Sequence, residues 1–116
     1  MILSVDADAE ILGAYQIFDI RNKHEWRQTG VIKDAILLSF NQNNGSPNPE
    51  FLSEFKRLAD FSRPIALICA SGFRSHVATH LIKAKLGIEV TNLKGGMYKL
   101  LREGFECEPY RGQDFK

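Results

Sequence analysis

The chain has 116 residues, 44% of them hydrophobic and 25% charged, with a formal net charge of +1. That length fits one domain over residues 1–116, and the composition excludes disordered and collagen-like classes. Near-neutral charge without a basic run excludes the electrostatic footprint of a nucleic-acid or membrane-surface partner.

Residues Met1 to Glu10 have no basic n-region and turn acidic before any long apolar stretch, so a cytoplasmic location is expected. Gln16 to Ile20 reads as a strand. It leads into a short helix over Arg21–Gln28, where Asn22 as N-cap and Glu25 three residues on form a capping-box pattern, and Gly30 ends it. Ala35 to Leu38 predicts a strand, and Asn41 to Pro49 a long polar loop. Phe51, Leu52, Phe55, Leu58 and Ala59 recur at helical spacing and predict a helix over Glu50–Asp60. The apolar run from Pro64 to Ile68 predicts a strand that delivers Cys69 into Ala70-Ser71-Gly72-Phe73-Arg74-Ser75. Val77, Ala78, Leu81, Ile82 and Leu86 then line a helix that Gly87 terminates. Ile88 to Leu93 predicts a final strand, Gly95-Gly96 opens a helix over Met97–Arg102 that Gly104 closes, and residues 105–116 form a polar tail. This alternation is the signature of an α/β fold, a mainly parallel sheet with helices on its faces.

Cys69 is the residue with the most chemistry. A strand that hands a cysteine to a short Gly-containing loop, with a helix directly after it, aims backbone N–H groups and the positive helix end at the sulfur. Such surroundings favour the nucleophilic thiolate. A cysteine closing a buried strand is also an ordinary core residue. Core packing, however, needs neither Gly72, which lets backbone curl around a bound group, nor Arg74 at the helix entrance.

Four stations make the chain resemble a single-domain rhodanese-like sulfurtransferase from about Ser4 to Gly104. They are Asp19-Ile20-Arg21 with Glu25-Trp26, the turn Gly30-Val31-Ile32-Lys33-Asp34-Ala35, the loop Cys69 to Ser75, and Asn92-Leu93-Lys94-Gly95-Gly96-Met97. The resemblance implies a central sheet of about five strands with helices on both faces. It also implies that Cys69 is catalytic. The cysteine takes a sulfane sulfur from a small donor such as thiosulfate, a persulfide or a polysulfide, holds it as a persulfide, and gives it to cyanide, a thiol or a protein thiol. In this reading the N–H groups of Ala70, Ser71, Gly72, Phe73, Arg74 and Ser75 ring an exposed sulfur, and the Arg74 fork orients an anionic donor. Four residues separate Cys69 from Arg74. That matches the sulfurtransferase loop and is one short of the loop of related phosphatases, so phosphatase and arsenate reductase chemistry rank low. A non-catalytic module that carries persulfide or docks a partner is the alternative.

The chain departs from the family pattern at Val31, where histidine is usual, at Lys33-Asp34 in place of Pro-Gly, and in a loop whose only charge is Arg74. That loop is poorly suited to a dianion, so thiosulfate is expected to be only a proxy donor. Asp19 and Arg21 end a strand where α/β sites lie, yet a buried carboxylate there more often holds loops, and both are read as supporting residues. Ser75 is expected to cap the following helix. His76 and His80 lack a third ligand, so no metal is expected, and the resemblance calls for no cofactor. Cys107 is expected to be a lone surface thiol, and the protein a monomer or homodimer.

Overall fold

In the computed structural model, which describes residues 3–112, the apolar runs build a five-stranded parallel sheet. In chain order the elements are β1 (Leu3–Asp6), a 3-10 helix (Ala9–Ala14), β2 (Gln16–Asp19), α1 (Lys23–Thr29) and β3 (Ile36–Leu37). There follow α2 (Phe51–Leu58), β4 (Ile65–Ile68), α3 (Phe73–Leu86), β5 (Thr91–Lys94) and α4 (Gly96–Arg102). The strands lie in the order β1-β5-β4-β2-β3. From β2 the chain runs outward to β3, then returns to the other side of β2 for β4. The switch point therefore falls between the carboxyl ends of β2 and β4, where α/β sheets place their ligands.

β4 is apolar at every position because both of its faces are covered. Ala66 and Ile68 join Ile17, Trp26, Leu93, Met97 and Leu100 in one core, which also receives α1 and α4. Ile65, Leu67 and Cys69 join Phe18, Ile20, Phe51, Phe55, Ala78 and Ile82 in the other, beneath α2 and α3. Helices on both faces are thus as expected.

Several boundaries are corrected. The edge strand β1 and the 3-10 helix after it were not expected. β1 is exposed at all four residues, so it carries no hydrophobic alternation to read. The last strand begins at Thr91, not Ile88, because its pairing with Leu3 and Ala66 begins there. Ile88 and Val90 pack instead against the Phe18 core. β3 keeps only two of the four expected residues, Ile36 and Leu37, and α2 stops at Leu58, where Ala59 turns extended (ψ 140°). The tail is not simply polar, since Val31 and Glu108 exchange backbone hydrogen bonds of 2.8 and 2.9 Å. Phe105, Cys107 and Tyr110 pack on the core beside them. Asp34 takes φ 67° at the turn where the family pattern has glycine. No helix among the described residues is long and apolar enough to cross a membrane.

Candidate active site

Cys69 follows the carboxyl end of β4, and its sulfur is held by the start of α3. Gly72 sits at φ 101° as the N-cap of α3, and this left-handed turn brings its N–H within 3.1 Å of the Cys69 Sγ. The Ser75 N–H donates to the same sulfur at 3.3 Å, and the Ser75 hydroxyl lies 3.3 Å from it. Of the expected ring, then, the N–H groups of Gly72 and Ser75 hydrogen-bond the thiol sulfur. Those of Phe73 and Arg74 belong to the first turn of α3, which has no intrahelical acceptors for them. The sulfur is not exposed as expected: Cys69 is 0% accessible. Ser71 and Phe73 are exposed at the outer edge of the loop, Phe73 at 72%.

The loop is pinned from behind by α4. Met97 N–H donates to the Cys69 carbonyl and Tyr98 N–H to that of Ala70, both at 2.9 Å. These are first-turn donors of α4, satisfied by the loop in place of a capping side chain. Such close approach requires Gly96: a Cβ there would press into the Cys69 carbonyl oxygen and come within 2.5 Å of the Ala70 oxygen.

Ser75 does not cap α3. Buried in its first turn, it donates its hydroxyl hydrogen to Asn92 Oδ1 at 2.5 Å, since a carboxamide oxygen can only accept. Its lone pairs are left facing the Cys69 thiol. Asn92 Nδ2 in turn donates to the Ser4 hydroxyl at 3.2 Å, so a chain of side chains runs from the edge strand to the sulfur.

Arg74 is engaged by a residue of α1. Its Nη1 and Nη2 donate to the two carboxylate oxygens of Glu25 at 2.9 and 2.8 Å, a bidentate pair in which both side chains are largely covered. Burial works to raise the Glu25 carboxyl. The Arg74 hydrogen bonds, the Asn22 N–H and the charges of Arg74 and Arg21 outweigh it and hold the group below the ordinary carboxylate value. The Glu25 hydrogen bond, against some desolvation, raises Arg74 in return. Glu25 also accepts from Asn22 N–H at 2.9 Å, as the capping-box pattern predicts, while Asn22 Oδ1 is buried without a partner.

Asp19 and Arg21 form a buried pair, 0% and 1% accessible, in which Arg21 Nη2 donates to Asp19 Oδ2 at 2.8 Å. Arg21 also donates to the Thr29 hydroxyl and the Gly30 carbonyl. It thereby joins the end of β2 to the end of α1. His76 and His80 are exposed with rings 5.0 Å apart, and no metal-ligating cluster occurs among the described residues.

Cys107 is half-buried, not a surface thiol, because the tail folds back beside Gly30. Burial raises its thiol above the usual cysteine value. With Gln16, Ile32 and Arg63 it lines a cleft of about 630 Å³ around the start of β2, the end of the sheet opposite Cys69.

Sequence reasoning missed two residues of this site, Glu25 as partner of Arg74 and Asn92 as partner of Ser75. Glu25 was visible only as a helix-capping residue and Asn92 only as part of a segment.

Residues 6–103 match the family described as the rhodanese-like domain. A rhodanese-related protein from Thermoplasma volcanium is 26% identical, covering 89% of this chain and 94% of that one with a TM-score of 0.70. The rhodanese-like domain of an Anabaena protein superposes with a TM-score of 0.73 at 20% identity, covering 100% of this chain and 90% of that one. A Rhodopseudomonas palustris protein described as a possible tyrosine phosphatase superposes at 0.66 with 24% identity, covering 92% and 83%.

Proposed function

This chain belongs to the rhodanese-like domain family, and from that premise we propose that it is a sulfurtransferase working through a Cys69 persulfide. The observation that supports this most directly is the Cys69 sulfur held by the N–H groups of Gly72 and Ser75 at the start of α3. The Cys69 thiolate attacks the sulfane sulfur of a donor. A new S–S bond forms, the donor's bond to that sulfur breaks, and its electron pair departs with the leaving group. The persulfide is anionic, and fixed backbone dipoles stabilise that charge without bulky side chains. A thiol or cyanide then takes the outer sulfur and returns the thiolate. Because Cys69 is fully covered, this reading requires the donor to reach the sulfur past the exposed loop residues Ser71 and Phe73.

That burial also favours a second reading, a persulfide carrier with slow turnover. Mass spectrometry after exposure to a polysulfide tests both: a gain of one sulfur atom, about 32 Da, on the Cys69 peptide supports either. Discharge of the sulfur by cyanide at catalytic rates separates the enzyme from the carrier. No adduct on Cys69 overturns both.

A further inference from the structure

Arg74 is the only charged residue between Cys69 and Ser75, and Glu25 occupies both of its terminal nitrogens. The neighbouring cation Arg21 is likewise matched by Asp19. Lys99 donates to the Ala7 carbonyl and to Glu103. The cations Arg74 and Arg21 are thus each matched by a carboxylate, the exposed side chains of the loop itself are the uncharged Ser71 and the phenyl ring of Phe73, and the exposed Lys94 stands beside the loop with its backbone against Gly72. Val77, one turn along α3 from Phe73, adds exposed apolar surface at 39%.

We propose that Glu25 is a specificity-determining residue: by neutralising Arg74 it directs the Cys69 loop toward sulfur donors of low charge bearing an apolar group, and away from dianionic thiosulfate. This rests on the sulfur-transfer reading above and names its donor class. A dianion entering a covered site is favoured by a net positive charge about twice as strongly as a monoanion, so cancelling the charge penalises the dianion most.

The test compares two donors that react alike. Thiosulfate and the methanethiosulfonate anion each lose a sulfane sulfur to the Cys69 thiolate, releasing sulfite or methanesulfinate with the electron pair of the broken S–S bond. Cyanide then removes the sulfur as thiocyanate, and no oxidant or reductant enters. The wild type is expected to have the higher kcat/KM for methanethiosulfonate. Glu25→Gln is expected to raise the thiosulfate-to-methanethiosulfonate ratio of kcat/KM about tenfold, by exposing one unit charge at short range. The gain should fade as salt rises from 0.05 to about 0.5 M, a response that a merely structural role would not produce. Ser71→Arg supplies a cation at an exposed loop position without touching Glu25, and is expected to shift the ratio the same way. It decides the matter should Glu25→Gln fail to fold. In the Lys94→Met background Glu25→Gln should raise the ratio as it does in the wild type, and a rise that vanishes there assigns the selectivity to Lys94, whose backbone packs on Gly72, and overturns the proposal. Ratios within twofold of wild type in both Glu25→Gln and Ser71→Arg overturn the proposal. Failure of the wild type to form a persulfide from either donor overturns the sulfur-transfer reading instead.

Discussion

The α-carbon of Gly96 lies against the carbonyl of Cys69, close enough that any side chain there would drive into that oxygen. The rear of the loop that holds the sulfur is thus a backbone-to-backbone contact, fastened by the Met97 and Tyr98 N–H groups.

Gly96→Ala is accordingly expected to displace the loop. At φ 59° a non-glycine residue adds backbone strain to the clash. A loss of about 2–4 kcal/mol in chemical denaturation is expected, with at least a tenfold fall in persulfide formation. An alanine variant as stable and active as wild type would show that α4 does not set the loop.

Cys69→Ser should abolish sulfur transfer, and Cys107→Ser should leave it nearly unchanged, because Cys107 lines a cleft at the opposite end of the sheet. Burial raises the Cys107 thiol, so in the Cys69→Ser protein its alkylation at pH 7 should run slower than that of a free thiol and accelerate on unfolding. Thiocyanate formation and timed iodoacetamide labelling measure the two outcomes.

The Glu25 carboxyl titrates lower in the folded chain than in the unfolded one, so the unfolded chain takes up the proton first as pH falls. The pair's contribution is complete above the ordinary glutamate value, about 4.3, and is lost as pH falls through the lower folded value. Glu25→Gln should therefore be about 1 kcal/mol less stable than wild type at pH 7, with the gap narrowing steadily toward pH 3. A gap that stays constant or widens in acid would refute this assignment.

The Asp19–Arg21 pair behaves differently because both partners are buried. Asp19→Ala leaves the Arg21 charge inside the protein without its counter-ion. A loss of about 3–5 kcal/mol in urea denaturation is expected, far more than for Glu25→Gln. A loss below about 1 kcal/mol would place the pair in contact with water.

Four residues separate Cys69 from Arg74, one fewer than in the loop of related phosphatases, so the sulfur-transfer reading expects no phosphatase activity. Hydrolysis of p-nitrophenyl phosphate should be undetectable under conditions where sulfur transfer is readily measured. Comparable rates would put phosphatase chemistry first.

The readable parts of this chain are those where local pattern and tertiary role coincide. β4 carries an unbroken apolar signal because both its faces are covered, whereas α3 buries Ser75, Ala78, Thr79 and Ile82 and leaves Val77 of its predicted stripe exposed; the Cys69 loop between them inherits its position. The Gly95-Gly96 segment was visible as a motif, and its reason is steric contact with Cys69 and Ala70. β1 was illegible because an exposed four-residue edge has no buried face to impose a pattern. Glu25 was half legible: one carboxylate oxygen caps its own helix, an effect local in sequence. The same carboxylate binds Arg74, 49 residues away, and nothing in spacing encodes that contact. Asn92 reaches Ser75 across 17 residues for the same reason. Cys107 is half-buried because Phe105-Glu106-Cys107-Glu108 alternates apolar and polar residues and lays its apolar side on the core, a signal too short to separate from a polar tail, while its pairing with Val31 is not encoded in spacing.

The parallel pairing of β1 with β5 bears on how the chain folds. Ser4 and Asn92, joined by a hydrogen bond, are 88 residues apart, so β1 finds its place only after β5 has docked on β4. Closing so long a segment costs entropy before any contact repays it, and topologies rich in such pairings fold slowly. Refolding followed by hydrogen exchange should show the β4 amides protected early and those of β1 last. The Ser4–Asn92–Ser75 chain behind the thiol is completed in that final step, so sulfur-transfer competence should return with β1 and not with the bulk of the helix signal.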